Sequence, residues 1–338
     1  MNKNLKYNKF MFFMILIMTT LYATSSNSWI NIWMSMEINM MSFIPLMLKI
    51  NNLMSSKSMI TYFIMQAIAS MNFLFIILLK MIQFKWFNQT LMISSMILNI
   101  SLLMKMGMAP FYHWFPITMK NLSWLNCFIL STWQKIIPMI TLSYCMIYNI
   151  IIISIILSSI ISSLMSLNQN NLKLLMSFSS INHMSWMLSS MMINMNLWLL
   201  YLMLYMILNY IIMSSFNMSN LHTIMEIYMI KNFYYYKMLI MMNFLSLSGL
   251  PPFLGFLPKL LVINLLINNN NILITSILIM TSLINMFIYI RITFTSFLII
   301  NYEVKFNNNY NHNNFLMYSY SLINMLWLIM ISLIFMMN

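Results

Sequence analysis

The stretches LLMKMGMAPFYHWFP (residues 102–116) and SGLPPFLGFLPKLL (residues 248–261) place glycine and proline inside long apolar segments. They contain eight of the ten glycine and proline residues of the chain: Gly107, Pro110, Pro116, Gly249, Pro251, Pro252, Gly255 and Pro258. Proline removes a backbone hydrogen-bond donor and clashes with the preceding helical turn. We therefore predict one helix break near residues 105–116 and a second near residues 248–259.

The remainder of the sequence is predominantly apolar. Apolar side chains make up 62% of the 338 residues, charged side chains make up 6%, and the mean hydropathy is +0.84. A soluble domain needs more polar surface than this, whereas a helix needs ~20 apolar residues to cross a bilayer. We predict eleven membrane-spanning helices, near residues 10–26, 28–48, 59–79, 87–109, 120–147, 149–167, 172–193, 196–216, 238–267, 271–299 and 316–336. The predicted fold class is an all-α polytopic membrane protein, with residues 1–338 forming a single integral membrane domain.

The two breaks fall in the fourth and ninth predicted helices, five helices apart. Because this offset is odd, the equivalent helices run in opposite directions, as in inverted repeats. We predict two inverted five-helix repeats, approximately residues 28–147 and 149–299, followed by a C-terminal transmembrane helix at 316–336. Interrupted helices at corresponding positions of two repeats indicate a transport path.

The lysines predict the orientation of the chain. The loops on the N-terminal side hold Lys3, Lys6, Lys9, Lys49, Lys57, Lys120, Lys173, Lys231, Lys237 and Lys305, whereas the opposite loops hold only Lys80 and Lys85. The positive-inside rule therefore places the N-terminus on the electronegative side of the membrane. An odd number of helices places the C-terminus on the other side.

The residue inventory excludes several functions. The chain has no Asp, its only carboxylates are Glu37, Glu226 and Glu303, and its three glycines cannot form a nucleotide-binding loop. Cys127 and Cys145 lie in one predicted helix, so we expect neither a disulfide framework nor a cysteine metal cluster. The net charge of +13 is carried by residues dispersed singly in short loops, which argues against nucleic-acid binding.

Four charged residues lie near the middle of a predicted helix or beside one of the two breaks: Glu37, Lys105, Lys135 and Lys259. An ionisable side chain at the centre of a membrane helix costs at least ~2.5–3.5 kcal/mol, so such residues usually face a bundle interior or a cavity. Snorkelling to the interface or a structural ion pair is an open alternative for Lys105 and Lys259. The chemistry that suits the set is storage and release of protons, because desolvation favours a neutral lysine whereas a nearby carboxylate favours a charged one.

The segment SFSSINHMSW (177–186) adds a polar strip in the seventh predicted helix. Its His183 is a candidate proton relay. A buried histidine that only bonds a neighbouring helix is an equal alternative. His113 lies beyond the first break, and Arg291 lies near enough to a helix end to reach the interface.

Five stretches carry a resemblance to a known family. MKMGMAPFYHWFP (104–116), TWQKIIP (132–138), LNQNNLKLLMSFSSINHMSWM (167–187), NFLSLSGLPPFLGFLPK (243–259) and the opening SNSWINIWMSMEINMMSFIPL (26–46) resemble the antiporter-like membrane-arm subunits of respiratory complex I, NADH:ubiquinone oxidoreductase. The chain departs from the family pattern at His113, which is displaced by one position, and at Ile117, where an acidic residue is common.

The resemblance implies a location in the mitochondrial inner membrane, with the N-terminus in the matrix and the C-terminus on the intermembrane side. It implies that Glu37, Lys105, Lys135 and Lys259 form the axis of proton translocation, with Glu37 and Lys105 as a pair, Lys135 as the central lysine and Lys259 facing the exit half. It further implies that this chain binds no cofactor, because NADH, FMN, iron–sulfur clusters and ubiquinone belong to other subunits. The implied partners are other membrane-arm subunits, including neighbouring antiporter-like chains, and membrane lipids.

We therefore predict a core membrane-arm subunit that contributes a proton-translocation module, driven by electron transfer from NADH to ubiquinone elsewhere in the complex. One alternative is a cation/proton antiporter subunit of the related multi-subunit type. Another is a structural spacer that joins neighbouring subunits, with lysines that are only ion-paired.

Overall fold

The computed structural model describes residues 2–48, 53–82, 88–229, 234–251 and 253–298. The predicted C-terminal helix at 316–336 and Pro252 of the second predicted break lie outside the described residues.

The described part of the chain is all-helical, apart from an isolated β-bridge between Asn171 and Thr223. Its helices are α1 (Asn2–Ser25), α2 (Trp29–Met47), α3 (Leu53–Ile82), α4 (Asn88–Met106), α5 (Trp114–Asn121), α6 (Trp124–Ser131), α7 (Ile136–Ser143), α8 (Tyr148–Ser166), α9 (Leu172–Met191), α10 (Met195–Met218), α11 (Ile224–Tyr228), α12 (Tyr234–Ser248), α13 (Phe256–Asn268) and α14 (Ile272–Leu298).

Among these helices, four are long and apolar enough to cross a membrane by length and composition: Met54–Met81, Tyr148–Ser166, Met195–Met218 and Ile272–Leu298. Shorter apolar helices occupy Lys9–Ser25, Ile93–Met106, Lys237–Ser248 and Phe256–Asn268. The total of eleven membrane-spanning helices therefore stays a prediction.

The chain divides into two compact units, Met1–Leu157 and Ser158–Asn338, with the boundary inside α8. In the first unit, α2 packs against α1 and α3, and α3 packs against α4 and α5. In the second unit, α9 packs against α10, α13 and α14, and α12 packs against α10 and α14. Helix α9 is buried on all sides from Leu175 to Met191, which explains why its sequence has no apolar stripe.

Gly107 ends α4 in a Schellman motif. Its N–H donates to the carbonyl of Met104 at 3.2 Å, and the N–H of Met108 donates to the carbonyl of Leu103 at 3.1 Å. The φ angle of Gly107 is 71°, a left-handed conformation that side chains disfavour. A Cβ at this glycine would also lie 3.0 Å from the Cβ of Phe115, so the close approach of α5 requires glycine.

Gly249 ends α12 with the same motif in the second unit. Its φ angle is 78°, and its N–H donates to the carbonyl of Ser246 at 3.1 Å. The N–H of Leu250 donates to the carbonyl of Leu245 at 3.4 Å. Gly255 is required nearby for space, because a Cβ there would collide with the carbonyl oxygen of Ser246.

The fifth predicted helix differs from the expectation of a continuous span at 120–147. A 3₁₀ turn at Trp133–Lys135 separates α6 from α7. Pro138 contributes to this interruption, because it has no N–H to donate to the carbonyl of Gln134.

Candidate functional site

A small cavity in the first unit brings together residues from α2, α3, α4 and the 3₁₀ turn. Its polar lining consists of Glu37, Asn39, Tyr62, Gln66, Ser70, Lys105 and Gln134. The cavity has about 20 Å³ of space for water-sized molecules, and one water needs ~10–15 Å³. The cavity therefore has room for water beside two ionisable side chains.

Lys105 is held in the last turn of α4, where the negative end of the helix dipole favours a cation. Its side chain is 8% exposed, and its Nζ donates to the Sδ of Met36 at 3.0 Å. The Schellman motif ends the helix two residues later, and the Nε2 of Gln66 donates to the freed carbonyl of Lys105 at 3.1 Å. Glu37 follows Met36 in sequence and lines the same cavity, but the hydrogen bond of the Lys105 Nζ goes to Met36, so a contact within the predicted Glu37–Lys105 pair stays a prediction.

Lys135 ends the 3₁₀ turn and is 4% exposed. Its Nζ has no hydrogen-bond partner among the described residues and lies 4.4 Å from the centroid of the Phe115 ring. A desolvated cation–π contact contributes ~2 kcal/mol, whereas burial of an ammonium without hydrogen bonds is strongly unfavourable. The packing of Phe115 against Gly107 therefore links the first helix break to this buried lysine.

Lys259 is the buried lysine of the second unit and lies in the first turn of α13, with 7% of its surface exposed. Its Nζ donates to the carbonyl of Ser248 at 2.7 Å, at the end of α12. A Cβ at Gly249 would lie 2.9 Å from this Nζ, so the glycine gives the ammonium access to the carbonyl. The end of α12 at the break thus leaves the carbonyl of Ser248 free to accept a hydrogen bond from Lys259, whereas in a continuous helix this carbonyl would accept from a backbone N–H.

A spacing pattern shared by the two breaks was missed in the sequence analysis. GMAPFYHWFP (107–116) and GLPPFLGFLP (249–258) both read G-x-x-P-F-x-x-x-x-P. The N–H of Phe111 donates to the carbonyl of Met108 at 2.8 Å, and that of Phe253 donates to the carbonyl of Leu250 at 2.9 Å. Each helix resumes seven residues after its glycine. Aligning the two stretches on their glycines reveals this signal.

His183 lies in the middle of α9 and is 8% exposed. Its Nδ1 is 3.0 Å from the hydroxyl oxygen of Tyr201, and its ring centroid is 5.1 Å from that of Tyr205. Both tyrosines belong to α10, so the contact fits a bond between neighbouring helices as well as a relay.

Some residues that line the cavity around Glu37 and Lys105 were not identified from the sequence. The Nε2 of Gln134 donates to the Oδ1 of Asn39 at 3.0 Å, and its Oε1 accepts a 3.4 Å bond from the hydroxyl of Tyr62. The one signal for Gln134 is its position beside Lys135 in TWQKIIP. Its partners, Asn39 and Tyr62, lie far from it in the sequence, so these contacts could be identified only from the structure.

The structure also shows the contacts or the exposure of other residues that the sequence singled out. Glu226 accepts bonds from the N–H groups of His222 and Thr223 and forms a capping box at the start of α11. Exposed Arg291 donates to the carbonyl of Leu167 at 3.1 Å, and His113 is exposed at the start of α5. Pro251 is exposed, whereas Pro258 is buried in the first turn of α13.

Two further observations concern charge and metal ligands. Lys237, expected in a loop, is buried at the start of α12, where its Nζ donates to the carbonyl of Tyr228 at 3.1 Å. Within the ranges that the structure describes, no three His, Cys, Asp or Glu side chains gather in an arrangement that could hold a metal ion.

The chain is similar in sequence to a known family of membrane proteins. The family model described as NADH:quinone oxidoreductase/Mrp antiporter, TM, matches residues 26–285. NADH-ubiquinone oxidoreductase chain 2 of Anopheles gambiae is 42% identical over 343 aligned positions, which cover 98% of each chain.

Two solved structures share the fold at low sequence identity. A chain of respiratory complex I from Thermus thermophilus superposes with a TM-score of 0.84 and 16% identity, over 97% of this chain and 79% of that one. A chain of the Mrp complex from a Dietzia species superposes with a TM-score of 0.72 and 13% identity, over 83% of this chain and 59% of that one. With a family model covering most of its length and a relative of 42% identity, the chain belongs to the NADH:quinone oxidoreductase/Mrp antiporter family, in the group of NADH-ubiquinone oxidoreductase chain 2 proteins.

Proposed function

We propose that this chain is a core membrane-arm subunit of respiratory complex I and contributes one proton-translocation module. The module is driven by electron transfer from NADH to ubiquinone in other subunits, so the chain acts as part of an H⁺-translocating NADH:ubiquinone reductase. Its membership of the chain 2 group supports this assignment.

The observation that carries the proposal is a pair of lysines buried at glycine-centred helix ends. Lys105 precedes Gly107 by two residues, and Lys259 bonds the carbonyl that precedes Gly249. In hydrocarbon such breaks are tolerated where protein or water satisfies the freed backbone groups. A lysine at such a break lies where water and a proton can reach it.

Glu37, Lys105, Lys135 and Lys259 form the proposed axis of proton movement. In the first unit, the cavity gives Lys105 two potential partners, the Met36 thioether that it contacts and the Glu37 carboxylate. A carboxylate at ~4 Å in an effective dielectric of ~20 stabilises an ammonium by ~4 kcal/mol. Movement of Lys105 between these partners would thus change its affinity for a proton. His183 is the proposed relay in the second unit.

The proposed architecture is a pair of inverted five-helix repeats, residues 28–147 and 149–299, within eleven membrane-spanning helices that include a C-terminal one at 316–336. The shared G-x-x-P-F-x-x-x-x-P pattern supports the equivalence of the two breaks. We place the chain in the mitochondrial inner membrane, with its N-terminus in the matrix and its C-terminus on the intermembrane side.

The proposed partners are the other membrane-arm subunits, including neighbouring antiporter-like chains, and membrane lipids. NADH, FMN, iron–sulfur clusters and ubiquinone are assigned to those other subunits. The chain carries no redox chemistry alone.

A double substitution, Glu37→Gln with Lys105→Met, tests the proposal in the assembled complex in proteoliposomes. It removes both charges from the cavity while keeping similar side-chain volumes. We expect a complex that assembles and pumps fewer protons per NADH oxidised. A structural spacer would assemble and keep the parent ratio, which would contradict the proposal.

A further inference from the structure

The 3₁₀ turn at Trp133–Lys135 directs two consecutive side chains to different surroundings. Gln134 lines the cavity that holds Glu37 and Lys105, whereas the Nζ of Lys135 lies over the Phe115 ring at 4.4 Å. This turn therefore contacts the cavity through one residue and carries the buried central lysine on the next.

The backbone of this turn is held by 3₁₀ hydrogen bonds in place of α-helical ones. A 3₁₀ turn has poorer hydrogen-bond geometry than an α-helix, and one in mid-helix often marks a hinge. The N–H of Lys135 donates to the carbonyl of Thr132 at 3.2 Å, but Pro138 has no N–H for the carbonyl of Gln134. With one backbone bond fewer, side-chain contacts contribute more to holding the turn in position.

The amide of Gln134 supplies such contacts on both sides of the cavity. It donates to the Oδ1 of Asn39 on α2 at 3.0 Å and accepts from the hydroxyl of Tyr62 on α3 at 3.4 Å. The second bond is long and correspondingly weak. Asn39 lies two residues after Glu37, so a shift of either partner is transmitted directly between the cavity and the turn.

We propose that Gln134 is a positioning residue of the proton path, an inference that rests on the proposed function. While its amide bonds Asn39 and Tyr62, the turn keeps Lys135 over Phe115 and away from the cavity. When the amide releases, the turn relaxes and the Lys135 ammonium gives its proton to a water in the cavity. Once Lys105 has released its own proton, that water passes a proton to its neutral amine, so charge and protons are conserved.

The test compares variants in the assembled complex in proteoliposomes, by NADH oxidation and by protons pumped per NADH. Gln134→Leu removes both bonds at similar volume and leaves the turn released. We expect fewer protons pumped per NADH while NADH oxidation continues. We also expect an added uncoupler to stimulate NADH oxidation less than in the parent. The reason is that Gln134 no longer controls when Lys135 exchanges a proton with the cavity. Lys135→Met should instead lower both measurements.

Gln134→Glu provides the rescue. Its protonated side chain reaches both partners and can donate to Asn39, so we expect a ratio near that of the parent at low pH. Ionisation places a carboxylate against the Asn39 oxygen, so the ratio should fall as the pH rises. The titratable groups that face this position are Glu37 on α2, Tyr62 on α3 and Lys105 on α4.

Asn99→Leu is the matched control. Asn99 is a fully buried amide of the first unit, which donates to the carbonyl of Cys145 at 2.8 Å and, within the described residues, makes no hydrogen bond to Gln134, Asn39 or Tyr62. We expect the parent ratio in this variant even where the amount of complex falls. An equal loss in Asn99→Leu and Gln134→Leu would reduce the effect to packing and overturn the inference.

The remaining outcomes separate the two proposals. If Gln134→Leu keeps the parent ratio while Lys135→Met loses pumping, the role of Gln134 is wrong and the proposed function stands. If both keep the parent ratio, the proposed function itself fails. Should Gln134→Leu not assemble, Gln134→Asn gives the same test, because its amide is one methylene too short to reach Asn39.

Discussion

The contact between Gly249 and Lys259 gives a quantitative prediction. In Gly249→Ala, the new Cβ lies 2.9 Å from the Nζ of Lys259 and 3.0 Å from its Cδ, so the lysine side chain must shift, and we expect its ammonium to lose the bond to the carbonyl of Ser248. Loss of this charge-assisted hydrogen bond costs about 1.5–3 kcal/mol. The φ angle of 78° costs a non-glycine residue a further ~1–2 kcal/mol. The expected total is about 2.5–5 kcal/mol.

A double-mutant cycle separates the two contributions. In a Lys259→Ala background the new Cβ meets no lysine atom, so Gly249→Ala should cost only the ~1–2 kcal/mol of backbone strain. The coupling between the two positions is then about 1.5–3 kcal/mol. The four chains are compared in assembled complexes by the temperature at which half of the chain is lost from the complex. Equal shifts in both backgrounds would refute the role given to Gly249.

Three other substitutions test separate parts of the account. Gly107→Ala should cost about 1–2 kcal/mol for its left-handed backbone and should lower proton pumping, because the new Cβ displaces Phe115; parent-level pumping would contradict this. Glu226→Ala removes the capping box of α11 and should lower thermal stability by about 0.5–2 kcal/mol, while protons per NADH stay at the parent value. Tyr201→Phe removes the hydroxyl beside His183 and should slow NADH-driven pumping if this histidine is a relay, whereas a bond that only joins helices would change stability alone.

The two helix ends at the breaks can be predicted from the sequence, because local rules for glycine and proline determine them. Gly107 and Gly249 adopt φ angles that other residues avoid, and each is followed within three residues by proline. That combination leaves little alternative to a helix end. For Lys105 and Lys259 the sequence left snorkelling open as an alternative, and the structure buries both side chains.

Features that depend on tertiary contacts could not be predicted in the same way. Pro138 lies in the first turn of α7, where proline is tolerated, so the sequence allowed either a kinked helix or a separate turn. The partners of Gln134 lie 95 residues away at Asn39 and 72 residues away at Tyr62. No local pattern identifies such pairs, because they arise from the packing of α2 and α3 against the turn. The burial of Lys237 was missed for a different reason, because its partner, the carbonyl of Tyr228 nine residues earlier, is a backbone group that the side-chain pattern does not reveal.

Proton pumping by Lys135→Met tests the central claim most directly. Lys57→Met is its matched control, because Lys57 is an exposed lysine of the same unit, whereas Lys135 is 4% exposed. Protons pumped per NADH are measured in proteoliposomes that contain the assembled complex. The account predicts a lower ratio for Lys135→Met and the parent ratio for Lys57→Met. Undiminished pumping by an assembled Lys135→Met complex would contradict it.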